Sequence, residues 1–124
     1  MIIENSYSTK KCRLVIPVGD PAGIGTEITL KALGSSDLPK NMHPLLIGCK
    51  RNIELCYKTL KSQTKISLAN PRDLEILDLP LDHELHAGKP NAETGHASYI
   101  WLDHAIKMLL AGNAKALVTA PIAK

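Results

Sequence analysis

Short apolar runs recur along this 124-residue chain, each leading through a turn into a stretch with helical apolar spacing. Leu14-Val15-Ile16-Pro17-Val18 is the first. A brief continuous apolar run suits a strand buried on both faces. Pro17 lacks a ladder donor, so it marks the strand's end or an edge. The turn Gly19-Asp20-Pro21-Ala22-Gly23-Ile24-Gly25 follows. A helix is then expected to about Leu33, with Ile24, Ile28 and Ala32 on one face and Gly34-Ser35-Ser36 stopping it. His43 to Cys49 holds Leu45-Leu46-Ile47, a second strand, and a helix over 50–62 places Ile53, Cys56, Tyr57 and Leu60 at helical spacing. Lys65 to Leu68 and Leu74 to Leu79 suggest minor strands, and His83 to Pro90 a loop or short strand. Thr94 suits the N-cap of a helix reaching Leu110, with Ala97, Trp101, Ala105, Met108 and Leu109 as its stripe. Ala111-Gly112-Asn113 closes that helix. Ala116 to Ala120 reads as a last buried strand, ended by Pro121.

The resulting order, β-α-β-α-(β)-α-β, predicts an α/β fold: an α/β/α layered arrangement around a mostly parallel sheet. Residues 1–11 read as a flexible polar arm and 12–124 as one α/β unit. Aromatics make up only 3% of the chain and Phe is absent, so Leu, Ile, Val and Ala must form the core. The net charge of +3 is spread out, with its densest cluster at Lys10, Lys11 and Arg13. That is not the broad basic face of a nucleic-acid binder. Three cysteines (Cys12, Cys49 and Cys56), with no CxxC pair, argue against a disulfide framework. Cys12 and Cys56 read as small core residues. No signal peptide and no membrane-length apolar run is evident, so the expected setting is cytoplasmic.

In parallel α/β sheets, ligands bind beyond the carboxyl ends of the strands. Two segments fall there. Around residues 19–27, glycines at a strand-to-helix junction let the backbone approach a ligand, and a helix start favours an anion. The spacing is neither GxGxxG nor a Walker pattern. A plain structural turn, with Asp20 capping the helix and Pro21 at its first position, explains the same residues. Glu27 is either a first-turn acid favoured by the helix dipole or a cleft-facing group. The second segment is Val118-Thr119-Ala120-Pro121-Ile122-Ala123-Lys124, where Lys124 is either a solvated terminal side chain or a point charge for a phosphate or carboxylate. A third polar stretch, Gly88 to Ser98, enters a helix; His96 or Ser98 could meet an anion there, or simply sit in the cap and on the surface.

Histidines occur at 43, 83, 86, 96 and 104. His83 and His86 lie three apart beside Asp82 and Glu84, but no third ligand or rigid element is evident. No metal site is therefore expected from these residues. His104, between Trp101 and Met108, reads as a partly buried side chain.

Gly19-Asp20-Pro21-Ala22-Gly23-Ile24-Gly25-x-Glu27 resembles the N-terminal signature of the 4-hydroxythreonine-4-phosphate dehydrogenase family. Gly88 to Ser98, with the helix ending Leu110-Ala111-Gly112, is similar to its next block, and Val118-Thr119-Ala120-Pro121-Ile122-x-Lys124 to its third. The resemblance implies an isocitrate/isopropylmalate dehydrogenase-like fold, of which residues 12–124 would form the N-terminal portion of the first domain. The fold would be incomplete on its C-terminal side, with the second domain absent. It implies NAD- or NADP-dependent oxidation of 4-phosphohydroxy-L-threonine at its 3-hydroxyl, then decarboxylation, in pyridoxal phosphate (vitamin B6) synthesis by a homodimer. Relatives acting on 4-phosphorylated threonate or erythronate, or on a dihydrodiol, share the signatures. So would a non-catalytic anion-binding module. A divalent metal (Zn, Mg or Co) would be held by residues beyond this chain, which carries no catalytic residue and is expected to be inactive alone. Asp20, Gly23, Gly25, Glu27, Thr119, Pro121 and Lys124 become the cleft-lining candidates for cofactor or substrate. Thr26 stands where the family usually has Pro, and Ala123 where it has Asn, Ser or His.

Overall fold

The computed structural model describes residues 2–4, 13–19, 21, 24–35, 41–80 and 92–119, with backbone alone at 2–4 and 92–94. Five strands form one sheet: β1 (Ile2–Glu4), β2 (Arg13–Pro17), β3 (His43–Gly48), β4 (Glu75–Asp78) and β5 (Ala116–Val118). Three helices connect them: α1 (Gly25–Leu33), α2 (Lys50–Gln63) and α3 (Ala92–Leu110). The spatial order is β1-β5-β2-β3-β4. β5, β2, β3 and β4 run parallel, with Val15 opposite both Leu45 and Leu117. β1 joins the edge antiparallel to β5.

That order fixes the layers. β2-α1-β3 and β3-α2-β4 step in one direction across the sheet, and β4-α3-β5 steps back past both. Right-handed crossovers then put α1 and α2 on one face and α3 on the other. α1 packs on α2, while α3 packs on β2, β3 and β5. Val15, Ile16 and Pro17 are buried in succession, as are Leu45, Leu46 and Ile47, as strands covered on both faces require.

The α3 stripe behaves as its spacing predicts: Ala97, Trp101, Ala105 and Leu109 are buried, and Met108 packs against them. Trp101 is the largest fully buried side chain, and its Nε1–H donates to the Leu79 carbonyl at 3.3 Å. Gly112, at φ +81°, ends the helix in a Schellman motif, with Asn113 N–H donating to Met108 O at 2.9 Å and Gly112 N–H to Leu109 O at 3.2 Å.

Five expectations are corrected. Ile2–Glu4, placed in the flexible arm 1–11, form β1, because the free edge of β5 offers unpaired backbone groups to a segment that includes two isoleucines. The face of α1 is reversed: Ile24, Ile28 and Ala32 are exposed, and Thr26, Thr29 and Leu30 are buried. Ile28 lies about 200° around the helix from Leu30, so both cannot face inward. Lys65–Leu68 form no strand; the chain there bonds to the end of α1, through Ala69 N–H to Leu30 O (3.0 Å) and Ser67 Oγ to Gly34 O (3.1 Å). α3 begins at Ala92, so Thr94 lies in its first turn rather than at its cap. His104 is exposed. The minor strand expected at Leu74–Leu79 is present as β4, and Pro17 closes an interior strand rather than an edge. Cys12 and the stretch His83 to Pro90 lie outside the described residues.

Candidate ligand-binding wall

The strand order reverses between β2 and β5: the chain leaves β2 toward β3 and returns to β2's other side as β5. Such a reversal opens a crevice at the carboxyl ends, since successive connections depart to opposite faces. The segment after β2 is the glycine-rich turn, and the residue after β5 is Thr119. The two stretches singled out from the sequence therefore leave adjacent parallel strands at one point. Gly19 takes φ +82°, a left-handed conformation natural to glycine, and turns the chain away from the sheet.

Gly25 is buried at the first position of α1, Glu27 is half-buried in its first turn, and Thr119 is half-buried past β5. Asp20, Gly23, Pro121 and Lys124 lie outside the described residues. The carboxylate of Glu27 lies 3.7 Å from Lys31 Nζ, one helical turn on. It also acts on α2: burial, and then the negative charge of Glu27, raise the thiol pKa of Cys56. α1 begins at Gly25 with Ile24 at its N-cap, so Pro21 does not take its first position, and the Ile24 side chain makes no capping hydrogen bond. The N–H groups of this helix start suit an anion.

Two groups near the turn, Thr26 and Asn52, are not evident from sequence motifs. Thr26 is 3% exposed, and its Oγ1 has no hydrogen-bond partner; the Oγ of Ser98 on α3 is likewise buried and unpartnered. Asn52 Nδ2 on α2 donates to the Pro21 carbonyl at 3.2 Å. A single polar residue on an otherwise amphipathic helix gives no sequence signal for that contact.

The family's metal does not fit here: among the described residues, no three His, Cys, Asp or Glu side chains converge. The wall suits the binding of a nicotinamide cofactor's phosphates, for it offers helix-start N–H groups and a glycine approach. Arg13 pairs with Glu75 at 3.3 Å, so that cation does not extend a basic face. Among the described residues, no helix is long and apolar enough to cross a membrane.

The chain is thus an α/β unit built on a mostly parallel sheet, with a candidate ligand-binding wall at its carboxyl edge. Residues 28–124 match the family described as pyridoxal phosphate biosynthetic protein PdxA, and the chain belongs to that family. It is 46% identical over 112 residues to a 4-hydroxythreonine-4-phosphate dehydrogenase of Synechococcus sp. (strain RCC307), covering 90% of this chain and 33% of the relative. The corresponding enzyme of Nostoc sp. (strain PCC 7120) is 40% identical over 125 residues, covering 97% and 34%. The crystal structure of the Klebsiella pneumoniae enzyme superposes with a TM-score of 0.74 at 25% identity, covering 96% of this chain and 39% of that one. The chain spans about a third of the length of these relatives.

Proposed function

We propose that this chain supplies one wall of the active-site cleft of an NAD- or NADP-dependent dehydrogenase. That enzyme oxidises 4-phosphohydroxy-L-threonine at its 3-hydroxyl, with decarboxylation following, in pyridoxal phosphate synthesis. The observation that supports the reading is that Gly19 and Thr119 follow adjacent parallel strands, β2 and β5, where the strand order reverses. Family membership supports the reaction class. The role of this wall is to bind and orient: Gly25 and the start of α1 approach an anionic group, and Asp20, Gly23 and Glu27 are the further candidates on that side. Thr119, Pro121 and Lys124 line the other side. Hydride transfer belongs to the nicotinamide cofactor. A divalent metal that polarises the substrate hydroxyl would be held by residues other than those described. The working enzyme is a cytoplasmic homodimer of longer chains.

The test compares a chain of the relatives' length with residues 1–124 alone. Reduction of NAD is followed with 4-phosphohydroxy-L-threonine, 4-phospho-threonate or 4-phospho-erythronate, with and without chelator. The longer chain should prefer the first substrate and lose activity to chelator, and the short chain should not turn over. Turnover by the short chain would overturn the division of labour. Phosphate binding without turnover by either chain would favour the anion-binding reading, which the helix start at Gly25 supports.

A further inference from the structure

We infer that Asn52 is the positioning residue of the 19–25 turn, holding it through the Pro21 carbonyl; this rests on reading that turn as part of the cleft. The turn opens on a left-handed glycine and closes on an N-cap with no side-chain hydrogen bond. Asn52 reaches it from α2, 31 residues later, in a partly buried contact of 3.2 Å. α2 is itself anchored where it begins, for Lys50 N–H donates to Asp78 Oδ1 at 2.9 Å, at the end of β4. One residue on, Leu79 N–H donates to Gly48 O at 2.9 Å, and the Leu79 carbonyl accepts from Trp101 Nε1. The connections after β2, β3 and β4 are thereby tied in series along the edge where a ligand would enter. Pro21 suits the end of that series: its ring fixes φ, so one bond to its carbonyl restrains the whole peptide unit. Ligand affinity at such a wall depends on holding the turn before the ligand arrives.

The test uses the 124-residue chain with Asn52→Ala and Asn52→Asp. Asp keeps the size of the side chain but cannot donate. Amide hydrogen exchange is read at Ile28, whose N–H donates to the Ile24 carbonyl at 3.0 Å, and, as internal references, at Thr64 and Leu46. Both variants should speed exchange at Ile28 by about fivefold to tenfold, the worth of one neutral hydrogen bond, and leave the reference amides unchanged. Unchanged exchange at Ile28 in Asn52→Ala overturns the inference. So does a wild-type rate in Asn52→Asp, which would make the contact one of packing, and so does an equal rise at every amide, which would make Asn52 a general stabiliser. A separate arm reads NADH affinity in a longer chain carrying Asn52→Ala. Faster exchange with unaltered affinity leaves the positioning role standing and counts against the cleft reading alone.

Discussion

Thr26 carries a cost that its neighbours do not relieve. Its hydroxyl is buried without a partner, whereas Thr29, one turn on, donates Oγ1 to the Gly25 carbonyl at 2.8 Å. An unsatisfied buried hydroxyl destabilises by about 1–3 kcal/mol. Thr26→Val keeps the shape and removes the orphan, so it should raise stability by about 1 kcal/mol in urea titration, and Thr29→Val should not. A loss in Thr26→Val would mean that the hydroxyl has a partner in solution. Cys56 is shaped by burial first and by Glu27 second, and both raise its thiol pKa. Raising the folded-state value favours the neutral thiol. The stability it contributes is complete below the ordinary value of 9.0 and is lost as pH climbs through the raised one. Relative to Cys56→Ala, the wild-type chain should therefore lose stability at alkaline pH. Iodoacetamide should alkylate Cys56 more slowly than it alkylates an unfolded peptide, and Glu27→Gln should narrow that gap. Equal rates in folded and unfolded chains would refute this.

Among the elements, the junction between α1 and the 64–70 connection is the most exacting. A Cβ at Gly34 would stand 2.6 Å from Ser67 O and 2.8 Å from Ala69 N, both backbone atoms that cannot swing aside. Gly34→Ala should cost about 1–3 kcal/mol by thermal melting, as overpacking does, although its φ of −82° is open to alanine. A neutral result would show that the connection gives way. Much of the element order was legible because the pattern behind it is local: the α3 stripe, its glycine stop and the β2 and β3 runs all follow from spacing. The face of α1 was not. Ile24, Ile28 and Ala32 have the spacing of a buried stripe, yet Leu30 faces inward and turns them to the surface. Lys65–Leu68 misled for a similar reason, as their backbone partners lie at the end of α1. The candidate wall was half legible. Glycines after a strand can be seen in a sequence, but the contact from Asn52 crosses 31 residues and has no periodicity.

The molecule as a whole displays more apolar surface than a solitary domain needs. Ile24 is 60% exposed on one face, and Tyr99 and Leu110 are 66% and 78% exposed on α3, with Ile100 and Ile106 beside them. Large exposed apolar patches favour association. The 124-residue chain should therefore self-associate in sedimentation at micromolar concentration, and Tyr99→Lys with Leu110→Lys should shift it toward monomer. A wild-type monomer that unfolds in one sharp transition would refute this. A chain of the relatives' length should be less prone to it if further residues cover those faces.

The sequence alone determined the parallel α/β class, the alternation of buried runs and helices, and the two segments at the carboxyl ends of strands, because strand and helix periods and glycine turns are encoded within a few neighbouring residues. Only the tertiary structure decided that β5 inserts beside β2, so that Gly19 and Thr119 follow adjacent strands where the strand order reverses. It alone decided that Ile2–Glu4 pair with β5, that α1 turns Leu30 inward, and that Asn52 holds Pro21. Each is a choice of partner among residues far apart in the chain, set by packing and backbone pairing that no local pattern carries.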